Sequence, residues 1–126
     1  ARAFSENDER EARAALAAIS ATRADDNATW SAHTAFHFAL YRPCGSEWML
    51  RLDRPLWESS QRYRLTIPRL NNTQRRKEAA LEHREMLEAC VAHDAERAGD
   101  VLHNHLVKTV NLITDQMGGE HVFPFV

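Results

Sequence analysis

Residues 28–41 read ATWSAHTAFHFALY, and at 3.6 residues per turn Trp30, His33, His37, Leu40 and Tyr41 fall on one face with Phe36 beside them. An apolar stripe at that spacing predicts a buried helix, yet two of its members are imidazoles one turn apart. The same periodicity recurs further along. Over residues 75–92 the stripe is Ala79, Ala80, His83, Met86, Leu87, Cys90 and Val91, with Glu78, Glu82, Arg84, Glu85 and Glu88 mostly on the other side. Over residues 94–117 it is Ala98, Val101, Leu102, His105, Thr109, Leu112, Ile113 and Gln116, while His103 lies about 200° around the axis from His105. Three helices therefore turn four of the seven histidines inward: His33, His37, His83 and His105.

A single imidazole on an apolar face is ordinarily a hydrogen-bonded core residue. Four are harder to accommodate, because a buried polar group without a partner costs roughly 1–3 kcal/mol. A shared metal ion would satisfy all four. Imidazole suits zinc, copper, iron and nickel, and each ligating ring needs an acceptor for its second nitrogen. Glu82 adjoins His83 but points about 100° away from it, which predicts a solvated or capping carboxylate.

The rest of the chain predicts an all-α antiparallel helical bundle. Ser5 is placed to cap a first helix over 6–20, residues 22–27 read as a turn, and the helix carrying His33 and His37 is stopped by Pro43 and Gly45. Ser46 caps a third helix over 47–67, with Pro55 expected to kink it and Met49, Leu52, Leu56, Ser59, Tyr63 and Thr66 as its inner stripe. Pro68 and Asn71-Asn72 end that helix; Asp94 caps the last one and Gly118-Gly119 closes it, leaving 120–126 as an extended arm.

With 126 residues, 44% of them apolar and 27% charged, and only four glycines and four prolines, the chain reads as one helical domain. No apolar run approaches the roughly 20 residues needed to span a bilayer. The net charge of −2 gives no footprint for nucleic acid, and the basic run Arg75-Arg76-Lys77 reads as a solvated helix start. Cys44 and Cys90 are in no CxxC arrangement, so reduced thiols in a cytoplasmic protein are expected. There is no GxSxG, no phosphate-cradling glycine loop and no HExxH glutamate to serve a metal as general base.

Three stretches together are recognisable: His33-Thr34-Ala35-Phe36-His37-Phe38-Ala39-Leu40; then Glu82-His83-Arg84-Glu85-Met86-Leu87-Glu88-Ala89 followed by Asp94; then Leu102-His103-Asn104-His105-Leu106. Over roughly residues 5–118 they resemble the FCD domain, the ligand-sensing C-terminal domain of FadR-like regulators in the GntR superfamily. The resemblance implies a bundle whose cavity holds a divalent metal and a small organic acid. It also implies a homodimer and a winged helix-turn-helix domain upstream of Ala1, through which operator DNA is bound. The family's first helix is expected to lie before Ala1 or barely to include it. Residues 1–118 would then form the effector- and metal-binding domain and 119–126 a C-terminal tail.

One departure stands out, for the family's aspartate ligand is His33 here. Four neutral ligands leave a divalent ion its full charge, which strengthens its pull on an anionic effector and shifts preference from manganese toward zinc, nickel or copper; if His33 does not ligate, three histidines remain. Zinc is the expected ion, with nickel next. Ser46 replaces the family's asparagine and still serves as a helix cap. For the carboxylate effector the third helix offers Ser59, Arg62 and Tyr63, although Arg62 could equally reach out to solvent. The expected function is effector sensing without catalysis. The rivals are a metal-dependent bundle enzyme, resembling DinB-like three-histidine hydrolases or transferases, and a structural bundle with ordinary core histidines and no metal.

Overall fold

The computed structural model describes residues 1–22 and 27–126, so all but the two ends of the expected turn over 22–27 lies outside the described residues. The described residues form α1 (Glu6–Ala21), α2 (Asn27–Tyr41), a 3-10 turn (Arg42–Cys44), α3 (Glu47–Thr66), α4 (Pro68–Asn71), α5 (Thr73–Val91) and α6 (Ala95–Met117), with no strand among them. The fold is an all-α bundle.

Local chemistry explains the boundaries. Ser5 and Asp8 form a reciprocal capping box, with the Ser5 hydroxyl accepting from the Asp8 amide at 3.2 Å and the Asp8 carboxylate from the Ser5 amide at 2.8 Å. Ser46, Asn72 and Asp94 each accept from the backbone amide three residues on, starting α3, α5 and α6. Gly118 ends α6 in the left-handed conformation, φ 72°, which an unbranched backbone reaches without strain. α3 runs unbroken through Pro55. The short α4 was not expected: Pro68 sits at its first helical position, where a missing N–H costs nothing, so the residues that end one helix open another.

α1 packs against α2 and α5, and α5 against α6. The core between them gathers Phe4, Ala12, Phe36, Leu40, Met86 and Leu87, so α2 and α5 bury the stripes their sequences predict. Leu87 is fully buried, and Leu87→Ala should lower stability by about 2–5 kcal/mol. Urea unfolding of the two proteins side by side measures the difference; a loss under 1 kcal/mol, on the order of a surface change, would contradict this packing. Cys44 is exposed, Cys90 buried, and both are free thiols. Among the described residues no helix is long and apolar enough to cross a membrane.

α3 departs from its predicted face. Met49, Leu52 and Leu56 are exposed, at 63%, 56% and 71%, and the helix's one buried residue is Trp57. Apolar spacing alone favoured the outer stripe, whereas the inward face runs Trp57, Ser60 and Arg64, a set that reads as polar. The tail after Gly118 has no regular structure and folds back along α6: His103 donates to the Pro124 carbonyl at 2.9 Å, and the Asn104 side chain pairs with both the amide and the carbonyl of Val126.

Candidate metal centre

α2 contributes His33 and His37, α5 His83 and α6 His105, and each offers one ring nitrogen to a cluster in which all four atoms lie within 4.8 Å of one another. The Nε2 atoms of His33, His37 and His83 form a near-equilateral triangle with sides of 3.1, 3.2 and 3.2 Å. Three nitrogens carrying at most one proton each at this position cannot all satisfy one another as donor and acceptor. Nitrogens bound 2.0–2.1 Å from one tetrahedral ion would stand about 3.3–3.4 Å apart, close to the sides of this triangle. The fourth ring completes the case. His105 Nε2 is buried with no hydrogen-bond partner, a state that costs on the order of 1–3 kcal/mol unless something else occupies its lone pair. The donor set fits a divalent ion that accepts imidazole.

Burial holds all four rings neutral, as ligation requires. It drives His33 and His37 well below the usual histidine range, helped by the Arg64 charge at His33 and by His33 at His37. His83 is brought down to about 3 by burial and then by His105, and burial lowers His105 against the hydrogen bond it donates to Glu82, which raises it.

The acceptors that the sequence could not name are present for two rings. His37 Nδ1 is 3.2 Å from the Tyr41 hydroxyl, one turn on. His105 Nδ1–H donates to Glu82 Oε2 at 2.6 Å, so Glu82 is neither solvated nor a cap. Its position on α5, about 100° from His83, is the side that faces α6. Arg75 reaches both Glu82 oxygens from one Nη at 3.0 Å, and Lys108 approaches Oε1 at 3.3 Å. Burial raises the Glu82 carboxyl, but the bonds from His105 and Arg75 outweigh it and hold the group at about 2. Arg75 is therefore buried and ion-paired, in place of the solvated helix start expected for the basic run.

His33, His83 and His105 line a cavity of about 360 Å³, within the usual range for small-molecule sites. Arg64, Arg75, Arg76 and Lys77 contribute to its wall, and no carboxylate does among the described residues. Arg64 is held over the rings of Trp57 and Trp30, at 5.0 and 5.7 Å, which stack on each other at 5.5 Å, and its Nε donates to the Ser60 hydroxyl at 3.4 Å. Trp57 is in turn anchored by its N–H to the Thr34 hydroxyl at 2.8 Å. With no acidic partner among the described residues, burial pulls the Arg64 guanidinium down to about 10.

Comparison with known families meets this geometry directly, for the profile of the FCD domain matches residues 1–108. The chain belongs to the FCD domain family. This FCD domain is 28% identical over 89 residues to the HTH-type transcriptional repressor GlaR of Escherichia coli strain K12, taking in 69% of this chain and 40% of that protein. It thus spans well under half the length of that relative. No solved structure matches it.

Within the FCD domain the four histidines meet, while the effector candidates on α3 do not reach them. Ser59, Arg62 and Tyr63 are exposed; the Ser59 hydroxyl bonds back to the Pro55 carbonyl, and Arg62 lies 5.3 Å over the Tyr63 ring. These three belong to the outer face that apolar spacing made look internal. The arginine at the cavity is Arg64, two residues on. Spacing from Trp57 at i+7 would have found it, had the tryptophan been taken as the inward marker.

Proposed function

We propose that this FCD domain is the effector-sensing part of a GntR/FadR-like bacterial transcription regulator, a cytoplasmic homodimer that binds operator DNA through a winged helix-turn-helix domain upstream. The observation that carries the reading is a four-histidine cluster, three of whose rings line a cavity that four cationic side chains and no carboxylate enter among the described residues. His33, His37, His83 and His105 would hold a divalent ion, zinc first and nickel second. Such an ion supplies a Lewis-acidic centre for one oxygen of a small organic acid. Arg64 binds and orients the carboxylate, and Trp30 and Trp57 keep the guanidinium in place and exclude water from its flanks. The role is regulatory and not catalytic: membership of the FCD family and likeness to a repressor support it.

Occupation of the cavity would tie α3 to α2, α5 and α6, and a shift of α3 is the movement available to reposition a DNA-binding domain. The test is a panel of mono- and dicarboxylic acids against the full-length, metal-loaded protein, read by thermal shift and by affinity for its operator. At least one acid should raise Tm and change operator affinity by about 5- to 150-fold, the ordinary range of allosteric coupling. If none moves either quantity while a chelator still lowers Tm, the metal is structural and sensing is wrong.

A further inference from the structure

Glu82 Oε2 is shared. It accepts from His105 Nδ1–H at 2.6 Å and from Arg75 Nη1 at 3.0 Å, and the same Arg75 nitrogen also reaches Oε1 at 3.0 Å. The other Arg75 nitrogen, Nη2, lies 3.5 Å from the Thr109 hydroxyl, and both Arg75 and Thr109 line the cavity. Arg75 is 6% exposed, so its guanidinium faces these groups and the cavity and not bulk solvent. One guanidinium thus stands between the cavity and the carboxylate that orients a candidate metal ligand.

We propose that Arg75 sets how firmly Glu82 holds His105, and that an anion in the cavity tightens the metal site by drawing the Arg75 guanidinium away from Glu82. This rests on the reading of the cavity as an anion site beside a metal. The physics has a definite sign. A carboxylate that gives part of its negative charge to a guanidinium is a weaker acceptor for Nδ1–H. Relieved of that partner, Glu82 pulls harder on the proton and makes the opposite ring nitrogen, Nε2, a stronger donor to a cation. Glu82 is not stranded by the change, since Lys108 stays 3.3 Å from Oε1 and is itself anchored to Glu78 at 2.7 Å. By linkage, a metal at the histidines raises anion affinity by the same factor. Glu82 is accordingly a positioning residue for His105, and Arg75 is the adjustable contact that connects it to the cavity.

Substitution of Arg75 imitates withdrawal of the guanidinium with no effector present, so the test needs only zinc. Zinc affinity is measured by competition with a chromophoric chelator in the intact protein, in Arg75→Gln, in Glu82→Gln and in the double variant. Glu82→Gln should weaken zinc about 10- to 100-fold. Arg75→Gln should strengthen it severalfold, and in the Glu82→Gln background the same change should shift affinity by no more than about twofold. An Arg75→Gln that weakens zinc would make Arg75 a simple structural bridge. One that strengthens zinc equally with and without Glu82 would reduce its effect to charge repulsion, and either result overturns the proposal.

A second readout uses the metal-free protein. The His105 Nδ1–H proton resonance should move downfield in Arg75→Gln and upfield in Glu82→Gln, and the reverse order would refute the relay. That measurement judges the Arg75–Glu82–His105 relay even if the parent binds no zinc, a result that would remove the proposed function and the coupling to metal but not the relay itself. Should Arg75→Gln fail to fold by circular dichroism, Arg75→Lys replaces it, with the same sign and a smaller shift because an ammonium cannot span both contacts.

Discussion

Replacing His83 and His105 together by alanine is expected to abolish metal binding: plasma mass spectrometry should find about one zinc or nickel per chain in the parent protein and none in the variant. The reason is geometric. One of these rings completes the Nε2 triangle and the other carries the buried nitrogen with no partner, and they come from α5 and α6 while His33 and His37 share α2. Two histidines on one helix still chelate weakly, but they no longer connect three helices. Because a metal bound only by the folded state adds its binding free energy to stability, the parent should lose several degrees of Tm on chelation and the variant none. Metal absent from the parent would return the histidines to an ordinary polar core. Metal retained at one per chain in the variant would place the site elsewhere.

Arg64→Met should separate stability from response. A largely buried cation with no acidic partner among the described residues is costly to the empty protein, and methionine keeps the length and the contact with the indoles while removing the charge, so the ligand-free variant should be at least as stable as the parent. Carboxylate binding should fall by about 2–5 kcal/mol, more than tenfold in Kd. Thermal shift over a carboxylate series measures both effects at once. Arg62→Met, on the exposed face of the same helix, is the control and should leave both unchanged. A variant that keeps the full carboxylate response would remove Arg64 from the site.

The parts of this architecture legible in sequence are those where one periodicity governs. α2 and α5 bury six residues each, and their stripes announce both the helix and the inward histidines. The caps at Ser5, Ser46 and Asp94 are legible for the same reason, since each is a local interaction within four residues. What sequence concealed depends on neighbours. Glu82 looks solvated on its own helix and becomes a bridge only because α6 brings His105 to it. Arg75 looks like part of a basic helix start until Glu82 and Thr109 enclose it. α3 misled for a further reason: its apolar residues lie on the outside and its inward face carries Ser60 and Arg64, so hydrophobicity pointed the wrong way round the helix.

The exposure of α3 has an energetic meaning of its own. Twenty residues of helix with one buried side chain have little cohesion with the rest of the bundle, and local opening free energy follows buried apolar contact. The two indoles and the guanidinium act as a latch to which no described residue supplies a negative charge. Whatever anion supplies that charge contributes to holding α3 shut, so that in this domain recognition of a small molecule and completion of the tertiary structure would be a single event.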